Sequence, residues 1–97
     1  MPNAERIFYD KFVFADGAIR EMSIWKLPEK NMERPHGLKY SLFYGYPGTR
    51  LVGYDNEQGK GDHRHYEAYE EPYTFTTVEN LITDFKRDIE RLRGNKL

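Results

Sequence analysis

Apolar side chains recur along this chain with two different periods. Up to Tyr69 they alternate, or run in short aromatic and β-branched stretches; beyond Val78 they return every third or fourth residue. Residues 6–14, with Ile7, Phe8, Tyr9, Phe12, Val13 and Phe14, predict a strand that is apolar on both faces. Asp16-Gly17 then predicts a two-residue type I′ hairpin turn, which needs positive φ at both central residues. Residues 18–27 predict a second strand, with Met22 and Ile24 on one face and Ile19 and Trp25 on the other. Pro28 has no N–H for a ladder and ends it. Residues 29–37 hold few apolar side chains and read as a surface loop. Leu38, Tyr40, Leu42 and Tyr44 share one face of a third strand. Tyr46-Pro47-Gly48-Thr49 sets Pro and Gly where a type II turn prefers them, and residues 50–55 return as a fourth strand. A polar loop over 56–61 leads to a short fifth strand over 63–69. Residues 70–75 read as extended chain, because Glu71 precedes a proline.

The period then changes. Thr76 to Glu79 fits a capping box, with Thr76 as N-cap and Glu79 reaching back. Val78, Leu81, Ile82, Phe85, Ile89 and Leu92 form a stripe roughly 100° wide, the width of a core-facing helix. Gly94 stands where a glycine stops a helix. The expected architecture is α+β: an antiparallel sheet of four to five strands, with one C-terminal amphipathic helix packed on one face. It forms one domain over residues 1–97. One helix covers only part of such a sheet, so uncovered apolar surface calls for a partner, another copy of the chain included.

Composition narrows the chemistry. Hydrophobic residues make up 38% and charged residues 32%, a polar balance rescued by 15% aromatics, each of which buries a large area. The net charge of −1 gives no global field for nucleic acid or a membrane, so anion recognition must be local. Absence of cysteine excludes disulfides, zinc–thiolate sites and thiol nucleophiles, and it favours a reducing cytoplasm. No apolar run has the length of a membrane span or forms a signal-peptide core, so no membrane association is expected.

The unusual residues gather in Gly59-Lys60-Gly61-Asp62-His63-Arg64-His65, which holds two of the three histidines. If residues 62–66 are extended, Asp62, Arg64 and Tyr66 point one way and His63 and His65 the other. Proton transfer on a phosphodiester is one reading, without a cofactor. His63, His65 and Asp62 are then the candidate catalytic residues. Lys60, Arg64, Glu71 and Tyr54 are the candidate substrate-binding residues. A metal site is another, with Asp62, Glu67 or His36 joining the paired histidines, although no known zinc spacing is matched. The plain alternative is a glycine turn followed by polar strand residues. Gly59-Lys60-Gly61 is no P-loop, since Ser or Thr does not follow the lysine. The basic stretch of Lys86, Arg87, Arg91, Arg93 and Lys96 is accounted for by the helix dipole. The tyrosines at 9, 40, 44 and 46 can stack bases but fit core packing better.

Two blocks resemble a known family. Tyr54-Asp55-Asn56 followed by Gly59-Lys60-Gly61-Asp62-His63-Arg64-His65 is similar to the signature of the TumE-like toxins of prokaryotic toxin–antitoxin modules. Glu70-Glu71-Pro72-Tyr73-Thr74-Phe75 and the closing helix resemble the same family. The resemblance implies a toxin of a bacterial or archaeal cytoplasm, paired with a helix-turn-helix antitoxin. It supplies no reaction; attack on RNA or translation is an expectation from toxins as a class, and a non-enzymatic protein-interaction domain is the alternative.

Overall fold

The computed structural model describes residues 4–32, 34–57, 59 and 61–94. Lys60 lies outside the described residues. Six strands follow one another as β1 (Glu5–Val13), β2 (Ile19–Lys26), β3 (Leu38–Tyr46), β4 (Thr49–Asp55), β5 (His63–Tyr66) and β6 (Tyr69–Pro72). Each pairs antiparallel with the next, so the sheet is a meander in chain order. The helix α1 (Val78–Arg93) closes the fold. The α+β class and the C-terminal helix agree with the sequence pattern, but the described residues form six strands rather than four or five.

The extra strand comes from a hairpin that the composition hides. Residues 63–69 do not run on as one strand. The chain reverses between Tyr66 and Tyr69, which pair across the Glu67-Ala68 turn. Glu67 takes a φ of 53° there. This left-handed conformation costs a residue with a side chain about 1–2 kcal/mol, and no Gly or Asn advertises it. Glu67 N–H donates to the Leu51 carbonyl at 2.7 Å, which anchors the reversal to β4.

The first hairpin also differs from expectation. Gly17 has a φ of 89°, but Asp16 does not join it in the left-handed region, so the turn is not type I′. Instead Gly17 N–H donates to the Phe14 carbonyl and Phe14 N–H to the Ala18 carbonyl. That is a three-residue loop, a type I turn followed by a left-handed glycine. The Asp16 carboxylate accepts from Ala18 N–H at 3.0 Å, a bond that keeps Asp16 in ordinary backbone space. The Pro47-Gly48 turn does follow its sequence, with Tyr46 opposite Thr49 and Gly48 at a φ of 78°.

Helix α1 starts one residue later than the capping box predicts. Thr77 is the N-cap, its hydroxyl accepting from Asn80 N–H at 3.0 Å. Thr76 accepts from the Asn80 side chain instead. Two adjacent threonines can each cap, and the second wins because Asn80 then occupies N3 and bonds both. Gly94 ends the helix in the left-handed conformation, its N–H on the Glu90 carbonyl.

The core lies between α1 and one face of the central strands. Met22 and Ile24 of β2, Tyr40, Leu42 and Tyr44 of β3, and Val52 and Tyr54 of β4 meet Leu81, Phe85 and Ile89 of the helix. Each is buried, and full burial of such a side chain stabilises the fold by roughly 1.5–3 kcal/mol. Among the described residues no helix covers the opposite face. Strand β1 lies at the sheet edge, with Ile7, Tyr9, Phe12 and Val13 exposed. Among the described residues no helix is long and apolar enough to cross a membrane.

Candidate functional site

The register of β4, β5 and β6 decides which side chains meet. Tyr54 stands opposite Arg64 and Arg64 opposite Glu71; Asp55 stands opposite His63, Gly53 opposite His65, and His65 opposite Glu70. Alternation along β5 sends Arg64 and Tyr66 to the helix face and His63 and His65 to the open face. The candidate residues on these strands therefore do not meet in one cluster.

On the helix face, Arg64 donates through Nε to Glu71 and through Nη1 to Asp88 Oδ2 at 3.0 Å. Tyr54 donates its hydroxyl to the same Asp88 oxygen, and Arg91 reaches Asp88 Oδ1 at 3.3 Å. Asp88 has only 2% of its side chain exposed. Burial first, and then the bond to Asp88, push the Tyr54 phenol well above its usual range. The Arg64 charge is met by two carboxylates, and this cluster joins β4, β5, β6 and α1. Tyr73 adds a parallel tie, its hydroxyl on Asp84 at 2.6 Å.

Asp62 turns away from both β5 histidines. It accepts from the Tyr40 hydroxyl at 2.8 Å and lies 3.1 Å from His36 Nε2. Leu38 N–H donates to His36 Nδ1, which leaves the proton on Nε2, pointing at Asp62. Asp62 thus orients a histidine, but it is His36 in the loop before β3, and the His36 ring rests 4.2 Å from that of Phe75.

The open face holds both β5 histidines. His63 is buried, with Nδ1 3.0 Å from the Gly61 carbonyl and Nε2 2.7 Å from Asp55 Oδ1. A carbonyl only accepts, so Nδ1 carries a proton and Nε2 is the atom presented to Asp55. His65 has the reverse arrangement. Arg50 Nη2 donates to its Nδ1 at 3.0 Å, and its Nε2 faces Glu70 Oε2 at 3.0 Å. Burial, and next the Arg50 charge, lower the His65 pKa below its ordinary value. The two imidazole rings are 5.0 Å apart, nearly perpendicular. Arg50 reaches His65 across Gly53, where a Cβ would lie 2.7 Å from Arg50 Cδ. A depression lined by Asp62, His63, Glu70, Glu71 and Pro72 gives an approach to His63 from the β6 side.

Asp55, Glu70 and Arg50 thus join the histidines, though the residue pattern around 59–65 does not single them out. Their signal is cross-strand register. Asp55 would follow from pairing the fourth and fifth strands about the 56–62 loop, and Glu70 from the hidden hairpin. Among the described residues, Asp55, His63 and His65 each bring one metal-ligating atom within 4.8 Å of the others.

Among known proteins, the family model described as Toxin TumE matches residues 3–93 of the chain. No curated protein and no solved structure matches it.

Proposed function

The chain belongs to the Toxin TumE family, and from that premise we propose that it is the toxin of a prokaryotic toxin–antitoxin pair and cleaves RNA by proton transfer between His63 and His65. One observation carries this reading: two imidazoles on one strand, 5.0 Å apart, one with its Nδ1 donating to a carbonyl and the other with its Nδ1 accepting from an arginine. With Nδ1 held on the Gly61 carbonyl, His63 serves as the base through Nε2, which lies 2.7 Å from Asp55 Oδ1. His65 serves as the acid as the imidazolium, which requires Arg50 to leave Nδ1 so that both ring nitrogens carry protons. His63 takes the proton of a ribose 2′-hydroxyl as that oxygen bonds to phosphorus; His65 protonates the departing 5′ oxygen as its bond to phosphorus breaks. Arg50 on the histidine side, together with Lys60, offsets the charge that builds on the phosphate, since Arg64 is held by Asp88 and Glu71. Asp62 acts at one remove, by fixing the 29–37 loop through His36. Tyr54, Arg64 and Glu71 support the strands rather than touch the substrate.

The test uses chelator-treated protein and cellular RNA. His63→Ala and His65→Ala variants that keep their circular dichroism should lose cleavage by about 10²–10⁴-fold each. Full activity in the double variant would overturn the proposal.

The alternative of a toxin that acts by binding alone is favoured by a different observation. Strand β1 is a free edge, with Ile7 48%, Tyr9 45%, Phe12 47% and Val13 57% exposed. In our reading this edge receives the helix-turn-helix antitoxin or a second copy of the chain. Toxicity that survives loss of both histidines but disappears in Ile7→Lys would favour binding alone.

A further inference from the structure

Three adjacent strands bring ligand atoms together on the open face. Asp55 closes β4, His63 and His65 lie on β5, and Glu70 lies on β6, all fixed by ladder register. His63 Nε2 is 2.7 Å from Asp55 Oδ1 and 3.7 Å from Glu70 Oε2, and His65 Nε2 is 3.0 Å from that same Glu70 oxygen. Around a tetrahedral zinc with bonds of about 2.0–2.1 Å, neighbouring ligand atoms are about 3.3 Å apart. The observed spacings bracket that value.

The Asp55 carboxylate adds a second, independent sign. Its Oδ1 is buried and accepts no aligned hydrogen bond among the described residues, although His63 Nε2 is 2.7 Å away. His63 Nε2 and Asp55 Oδ1 approach closely with no aligned bond between them, as two ligands do when both aim at a third point. The other nitrogen of His63 meets the Gly61 carbonyl, the outer contact that metal-bound histidines commonly make. Two imidazoles with carboxylate oxygens and no thiolate suit a borderline divalent ion better than a soft or a hard one.

We infer that Asp55, His63 and His65 form a binding site for a divalent transition ion of the zinc class, that Glu70 closes its fourth position, and that the bound ion silences the toxin. The silencing rests on the function proposed above: the ion takes the Nε2 lone pair of His63 that the base requires, and it displaces the Nε2 proton of His65. Arg50 opposes entry. Its bond to His65 Nδ1 holds the His65 proton on Nε2, so a bound ion requires that proton to shift to Nδ1 and the exposed Arg50 to swing away.

The experiment uses tag-free protein stripped with a chelator. Zinc binding is followed by calorimetry, cobalt binding by visible absorption. One ion per chain with tetrahedral cobalt bands is expected. Asp55→Asn, His63→Gln and His65→Gln should each weaken binding at least about tenfold. His36→Gln should not, and Arg50→Gln should tighten it. The Arg50 result stands as a test even where a buried-histidine variant fails to fold. No saturable binding, or binding indifferent to Asp55→Asn and Arg50→Gln, overturns the site. RNA cleavage by the stripped protein that zinc inhibits supports silencing. Cleavage that requires zinc overturns both silencing and the metal-free reaction but leaves the site standing. Zinc binding without cleavage in either state overturns the proposed reaction, and the silencing with it, but leaves the site standing.

Discussion

Replacing Asp88 by alanine removes one carboxylate and strands three donors, from Tyr54, Arg64 and Arg91. Their losses are unequal. Arg91 is 59% exposed, so its pair contributes a few tenths of a kcal/mol. Arg64 is 29% exposed and keeps Glu71, which limits its share to about 1 kcal/mol. Tyr54 is fully buried, and its hydroxyl donates to no other group among the described residues. Leaving it without an acceptor costs about 1–3 kcal/mol. The sum is about 3 kcal/mol, a large share of the stability of a domain this size. It corresponds to a fall in Tm of roughly 10–25 °C. Thermal and urea unfolding followed by circular dichroism measure it. Tyr54→Phe removes the hydroxyl together with its need and should cost about 1 kcal/mol in the native protein. In the Asp88→Ala background it should cost nothing or restore stability. A change under about 0.5 kcal/mol for Asp88→Ala, within the ordinary range for surface substitutions, would refute the assignment of this cluster as the tie between helix and sheet. So would equal costs of Tyr54→Phe in both backgrounds.

Two further outcomes follow from the same geometry. Burial first, and hydrogen bonds to Asp62 and Asp88 next, raise the Tyr40 and Tyr54 phenols above their usual value of 10.0. Their stabilisation is fully present below pH 10 and falls as pH rises beyond it, because only the unfolded chain then releases these protons. The loss is at most about 1.4 kcal/mol per pH unit for each phenol. Tyrosinate absorbance should therefore show a cooperative step coincident with unfolding by circular dichroism, and independent smooth titration of every tyrosine would contradict it. At the helix start, Thr77→Ala should cost about 1 kcal/mol in urea unfolding and Thr76→Ala clearly less; the reverse order would return the N-cap to Thr76.

Where the sequence carried the fold, one face of an element was buried and the other was not. Met22 and Ile24, Tyr40, Leu42 and Tyr44, and the stripe from Leu81 to Ile89 could be read because burial repeats their period. Strand β6 could not, because all four of its residues are exposed and no alternation marks it. Its hairpin turns on Glu67, a residue that carries no turn signal. Asp88 was hidden for the opposite reason: it sits in the buried stripe of α1, yet as an acid it does not count as apolar.

The candidate site divides along the same line. Alternation alone sets His63 and His65 against Arg64, and the structure keeps that division. What no period supplies is the partner across the ladder. Asp55 faces His63, Glu70 faces His65, and Arg50 crosses Gly53, because of a seven-residue loop over 56–62 and a hairpin of unmarked composition. In a sheet, residues adjacent in sequence are sent to opposite faces, while residues far apart in sequence become chemical neighbours. A dense run such as Asp62-His63-Arg64-His65 is therefore dealt out to separate tasks: Asp62 and Arg64 to internal carboxylate networks, the histidines to a face where a buried carboxylate oxygen still lacks an aligned donor. That unmet oxygen separates the two clusters physically. The Asp62 and Arg64 networks hold the fold, and the buried Asp55 oxygen without an aligned donor is the atom that the inferred ion would meet.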